Sequence, residues 1–196
     1  MKPELKEILS FGSLAAAPLL LGCIIGRRTP LGLIKARIVE TEAYHQNDEA
    51  SHSWRGRTAR TSPMFEAGGR LYIYFNYGMH YAINIVTGPA GVGEAVLIRA
   101  AEPVSGLEVM KGYRPICSTI NLTNGPAKLA QAFGITDTSL SGELLNKSSI
   151  FLQRPSVRVK QSDIIVGRRI GISRADDRLW RFYLKNNAYV SKPSSR

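Results

Sequence analysis

The segment from Arg70 to Thr87 allows little but a β-hairpin. Two runs, RLYIYFNY at 70–77 and HYAINIVT at 80–87, alternate with the two-residue period of a pleated strand. Both are rich in aromatic and β-branched residues, which suit a half-buried sheet surface. Gly78 and Met79 stand between the runs, and a glycine supplies the backbone freedom a tight turn demands. Alternation puts Tyr72 and Tyr74 on one face, with Leu71, Ile73, Phe75 and Tyr77 on the other. Tyr77 adjoins the turn glycine, where its own strands cover it poorly. From the hairpin alone, a tyrosine folding back over the sheet is the simpler reading, and a wedge between nucleic-acid bases is the other.

The rest of the chain supplies partners for this hairpin. Residues 34–44, IKARIVETEAY, read as a strand, and 94–101, EAVLIRAA, as another that Pro103 ends. A helix is expected over 4–22, a short one from Val104 to about Gly112, and a third opened by Asn124-Gly125-Pro126 and stopped by Gly134. Residues 45–67 are polar and loop-like. Later runs at 149–153, 165–172 and 180–191 look like strands, the last with a turn candidate at Asn186-Asn187. Hairpins without regular βαβ units predict a mixed α/β (α+β) domain with an antiparallel or mixed sheet. No repeat or long linker divides the chain, so a single domain over 1–196 is expected.

Charge narrows the class of partner. Lys and Arg number 26 against 15 Asp and Glu, a formal net charge of +11. Such an excess favours a polyanion, whether nucleic acid or an anionic membrane, over a neutral partner, although a solvated basic surface has the same composition. The longest apolar run, LAAAPLLLGCII at 14–25, is too short to span a bilayer and is interrupted by Pro18 and Gly22. It reads as a buried helix followed by a strand rather than as a signal peptide. Cys23 and Cys117 form no metal-binding pattern and read as buried thiols of a reduced, intracellular protein. Three scattered histidines and no cysteine pair argue against a zinc site, and no metal or cofactor is expected.

One strand carries the candidate chemistry. In IVETEAY, Glu40, Glu42 and Tyr44 share a face and Val39, Thr41 and Ala43 share the other. Glu40 is read as solvent-facing; Glu42 gains weight only from the rest of the chain. His52, in SHS, is by default a surface or capping histidine. The loop Arg55-Gly56-Arg57-Thr58-Ala59-Arg60 suits phosphates or plain solvation. A glycan-type hydrolase using Glu40 and Glu42 as an acid/base pair is disfavoured, because such pairs usually face each other across a cleft from separate elements.

Five segments carry a resemblance: RIVETEAY at 37–44, DEASHS at 48–53, MFEAGGRLYIYFNYGMHYAINIV at 64–86, AVLIRAAEP at 95–103 and NGPAKLAQAFGI at 124–135. With RRIGIS and LWRFYL near the C-terminus, they make the chain resemble the alkyladenine (3-methyladenine) DNA glycosylase family. The resemblance implies a curved antiparallel sheet with a protruding hairpin, similar to the formyltransferase C-terminal-domain-like fold. It implies an enzyme that binds double-stranded DNA containing a damaged purine, flips the nucleotide and hydrolyses its bond to deoxyribose; a monomer is the default expectation, because one protein must slide along one duplex. Glu42 is then the general base, with Arg99 and the backbone carbonyl of Ile170 holding its water. Tyr44 stacks on one face of the base, and His52 and Tyr74 stack on the other. Asn84 lines the pocket, and Tyr77 and Met79 meet the DNA. Asn76 stands where the resemblance leads one to expect an apolar residue. No lysine occupies a nucleophile's place, so plain hydrolysis without strand cleavage is expected. The rival reading is a non-catalytic basic nucleic-acid-binding domain of the same fold, which has no need of Glu42 and Arg99 together.

Overall fold

Apolar alternation and turn residues determine the course of the chain in the computed structural model, which describes residues 4–191 apart from 77, 146 and 156. Two short helices, α1 (Leu5–Ser10) and α2 (Ser13–Leu19), precede the strands β1 (Ile24–Thr29) and β2 (Gly32–His45). The hairpin follows as β3 (Leu71–Asn76) and β4 (His80–Val86), then β5 (Glu94–Ser105). Helices α3 (Leu107–Tyr113), α4 (Ile120–Thr123) and α5 (Pro126–Ala132) come next, and β6 (Ile150–Gln153), β7 (Ile164–Gly167) and β8 (Arg181–Leu184) close the fold.

Every strand pairing among the described residues is antiparallel, in the order β3-β4-β5-β2-β1-β6, with β8 joining β2 to β7. The result is one mixed α/β domain whose sheet curls into a half-barrel. β2 is the spine. It pairs with β5 along one edge; along the other, its first half pairs with β1 and Glu40–Glu42 pair with Arg181–Tyr183 of β8. Between Ile38 and Thr41 its register against β5 shifts, a β-bulge. Ile34, Ala36 and Ile38 lie in the apolar core before the bulge, and Val39 and Ala43 lie in it after. Across this irregularity, where the shift is made and then reversed, the two faces of the strand exchange. Beyond it, Thr41 faces α2, its hydroxyl bonded to the Ala17 carbonyl at 2.9 Å, and Glu40, Glu42 and Tyr44 face the other way.

Several boundaries differ from the sequence expectation. The helix expected over 4–22 breaks at Phe11, which is extended, and restarts after Gly12, where the Ser13 N–H bonds the buried Glu94 carboxylate at 2.5 Å. β5 does not stop at Pro103. It continues to Ser105, because the proline meets β2 next to a register shift, where a missing N–H is tolerated. α3 accordingly begins at Leu107 rather than Val104. Gly125, not Asn124, precedes α5, while the Asn124 side chain bonds Asn121 and Lys128. Gly134, at φ +66°, follows the end of α5 as expected. The runs 165–172 and 180–191 are strands only to Gly167 and Leu184, with Asn186 turning at φ +57°. Cys23 is buried as expected, but Cys117 is exposed. Among the described residues no helix is long and apolar enough to cross a membrane.

Candidate active site

The curled sheet brings its concave face around a cavity of about 490 Å³, within the range of small-molecule sites. β2 supplies Tyr44. Tyr72 and Tyr74 come from β3, Asn84 from β4, and Leu97 and Arg99 from β5. Two loops complete it, with His52 from one and Ile170 to Arg174 from the other. Tyr44 and the β3 tyrosines are separated by β4 and β5 in the sheet, so only its curl lets them line one space.

Neighbouring serines position His52. The Ser51 and Ser53 hydroxyls bond each other at 2.7 Å, and Ser53 donates to the Gly93 carbonyl at 2.7 Å, tying the loop to the start of β5. The His52 Nδ1 then meets the Tyr72 hydroxyl at 2.9 Å, and its ring lies edge-on to Tyr74 with centroids 4.4 Å apart. Asn84 is buried opposite Tyr72, donating its amide to the Tyr72 carbonyl at 3.0 Å. Burial, and secondarily the nearby Arg60 charge, push the His52 pKa down from 6.5 to about 4. A histidine harder to protonate when folded than when unfolded costs stability as pH falls from 6.5 toward 4, because only the unfolded chain gains the proton. The stability of wild type in denaturant unfolding should therefore fall as pH drops over that window, and His52→Gln should flatten part of that slope. Identical slopes would show that His52 is not the group responsible.

Glu42 lies just behind the cavity wall and is completely buried. Its Oε2 accepts from the Tyr44 hydroxyl at 2.8 Å and from Arg99 Nη1 at 3.2 Å; its Oε1 accepts the Ile170 N–H at 2.8 Å. Arg99 Nη1 also reaches the Ile170 carbonyl at 3.4 Å. Burial alone would weaken the Arg99 charge, but the Glu42 and Glu40 carboxylates more than offset it and hold the guanidinium firmly protonated. The Tyr44 phenol is pushed upward, first by burial and then by Glu42, and so remains a donor.

A model of the methylpurine-DNA glycosylase family matches residues 8–188. The chain belongs to that family. A relative from Carboxydothermus hydrogenoformans is 49% identical over 173 residues, covering 88% of this chain and 90% of its own. One from Francisella tularensis subsp. tularensis is 45% identical over 190 residues, 96% and 98% of the two chains. One from Chlorobium luteolum is 46% identical over 189 residues, 95% of each. All three are provisionally named 3-methyladenine DNA glycosylase.

Of the residues singled out in the sequence of this family member, Glu42, Tyr44, Arg99 and Ile170 come together in one cluster. His52, Tyr74 and Asn84 line the same cavity. Asn76 lines it too, and Met79 is 69% exposed beyond the end of β3. Tyr77 lies outside the described residues. Among the described residues no three His, Cys, Asp or Glu side chains converge as a metal site.

Glu40 corrects its expectation. Instead of facing solvent it is fully buried, and protein donors replace the water it gives up. Arg181 Nε binds it at 2.5 Å, Arg99 Nε at 3.3 Å, the Ser191 N–H at 2.7 Å and the Ser191 hydroxyl at 2.9 Å. Sequence reasoning also passed over Arg169, whose buried guanidinium grips both oxygens of buried Asp48 and the Ala43 carbonyl. A signal existed for Glu40 and Arg181: each is a charge set in a strand of apolar and aromatic residues, where it needs a partner.

Proposed function

We propose that this protein is a monofunctional DNA glycosylase that flips alkylated or deaminated purines out of double-stranded DNA and hydrolyses the N-glycosidic bond. Its substrates are the class of 3-methyladenine, 7-methylguanine, hypoxanthine and ethenoadenine. The observation that carries this reading is an aromatic-walled cavity backed by one buried carboxylate whose partners, Tyr44, Arg99 and Ile170, line the cavity. The family supports it, as do the names of the relatives.

Chemistry on a base requires that base to leave the stack, at a cost lowest for lesions that pair or stack poorly. Tyr44 on one face, and His52 with Tyr74 on the other, recover that cost by stacking, and Asn84 screens the purine edge. Tyr77 fills the vacated place in the duplex, with Met79 beside it. The bond from C1′ to the purine breaks with its electron pair leaving on the base, and positive charge builds on the sugar. A carboxylate offers about four lone-pair positions. Glu42 Oε1 receives one protein donor, the Ile170 N–H, and keeps a position for water. That water, held also by Arg99 and the Ile170 carbonyl, adds to C1′ and passes its proton to Glu42.

The net charge of +11 serves the DNA backbone. We take the protein to act as a monomer, inside the cell and on DNA, as one glycosylase domain over 1–196 with a formyltransferase C-terminal-domain-like sheet. The test is a single-turnover assay on duplexes carrying one hypoxanthine or one ethenoadenine. The expected product is an abasic site cleaved only after alkali. Strand breaks without alkali would remove the plain-hydrolysis mechanism, and no release from these or from methylated DNA would remove the excision reading.

A further inference from the structure

Tyr44 carries a buried cation on its back. The Arg169 guanidinium carbon lies 4.6 Å from the Tyr44 ring centroid and 5.1 Å from that of Trp180. Tyr44 lines the cavity and Arg169, its side chain wholly buried, does not, so the guanidinium covers the ring face turned away from the cavity. The arrangement is held from several sides. Both Arg169 Nη atoms bond Asp48, with Nη2 to Oδ1 at 2.9 Å, and they also reach the Ala43 carbonyl at 3.0 Å and the Ala175 carbonyl at 3.3 Å.

A cation over an aromatic face is attracted by the negative face of the ring quadrupole. A second cation on the opposite face meets the same ring with density drawn away from it, and it also meets the field of the first. A cationic purine, such as one alkylated at N7, is that second cation; a neutral purine such as hypoxanthine is not. We infer that the Arg169–Asp48 pair sets the discrimination between cationic and neutral purines at Tyr44. Arg169 restrains the preference for cations, and the Asp48 carboxylate limits that restraint by neutralising the guanidinium. Tyr44 thus recognises an aromatic surface first and charge second, which lets one pocket take both lesion types. The inference rests on the excision reading above.

The experiment measures equilibrium binding in a Glu42→Gln background, so that rates of base release do not enter. Two duplexes are compared, one with a single 7-methylguanine and one with a single hypoxanthine, and the readout is the ratio of their affinities. Arg169→Met should move the ratio toward 7-methylguanine by about threefold or more. Arg169→Lys, which keeps the charge, should hold it near the starting value. Asp48→Asn, which keeps the guanidinium on Tyr44 and removes its counter-charge, should move it toward hypoxanthine. General damage to the loop weakens both duplexes and does not drive the two halves of one ion pair in opposite directions. An unchanged ratio in Arg169→Met, or shifts of the same sign in Arg169→Met and Asp48→Asn, would overturn the inference. If Arg169→Met does not fold, the sign of the Asp48→Asn shift decides it: toward hypoxanthine supports it, and anything else overturns it. Failure of the wild-type protein to release either base would instead sink the excision reading, and this inference with it.

Discussion

Glu42→Gln should lower single-turnover base release by about 10²–10⁴-fold, the usual worth of a positioned general base, while lesion DNA remains bound. Glutamine keeps the length and shape of the side chain and one carbonyl oxygen, so the Ile170 N–H can retain its acceptor. The neutral amide, however, is too weak a base for its oxygen to take a proton from the water beside it, and it offers no negative charge to the sugar as the glycosidic bond opens. Arg99 is not stranded, because its Nε still faces Glu40 and its Nη1 still reaches the Ile170 carbonyl. Loss of release therefore cannot be assigned to collapse of the site, provided the variant melts as a folded protein. Glu42→Asp supplies the second point, since a carboxylate withdrawn by one methylene should release base at an intermediate rate. Undiminished release by Glu42→Gln would take Glu42 out of the reaction and leave the cavity a binding site only.

The sequence made the hairpin legible because period-two alternation around Gly78 has few other interpretations, and β3 and β4 pair from Leu71 with Ile85 to Asn76 with His80. The face shared by Glu40, Glu42 and Tyr44 was legible for the same reason. What alternation did not reveal was the bulge after Ile38. Extended from Ile34, Ala36 and Ile38, a strict two-residue period puts Glu40 and Glu42 on the core face. The irregularity against β5 turns them to the opposite face instead, toward Arg99 and Arg181, and a bulge depends on how two distant strands meet, not on either strand alone. Pro103 misled for a related reason, being compatible with a strand at such an irregularity. The ion pairs were the least legible. Arg169 and Asp48 are 121 residues apart, and Arg181 and Glu40 are 141 apart, so only the closed fold identifies them as partners.

That long-range pairing makes Glu40 a residue whose loss should cost much of the stability. Glu40→Leu should destabilise the fold by about 3–5 kcal/mol, because removing one member of a buried ion pair strands the charge left behind. Here two guanidiniums lose their shared acceptor, as do the N–H and hydroxyl of Ser191. Against a total stability of about 5–15 kcal/mol for an ordinary domain, such a variant would be marginal, and denaturant unfolding would show it directly. The double variant Glu40→Leu with Arg181→Leu should recover part of the loss, since replacing both members of a buried pair with apolar groups is often near neutral. Arg99, however, remains without its Nε partner in both variants, held only by Glu42 and the Ile170 carbonyl. Stability and base release should therefore separate: the double variant regains the first but not the second. Recovery of both together would show that Glu40 serves the fold alone. No recovery of stability would show that the Arg181 charge was not the source of the cost.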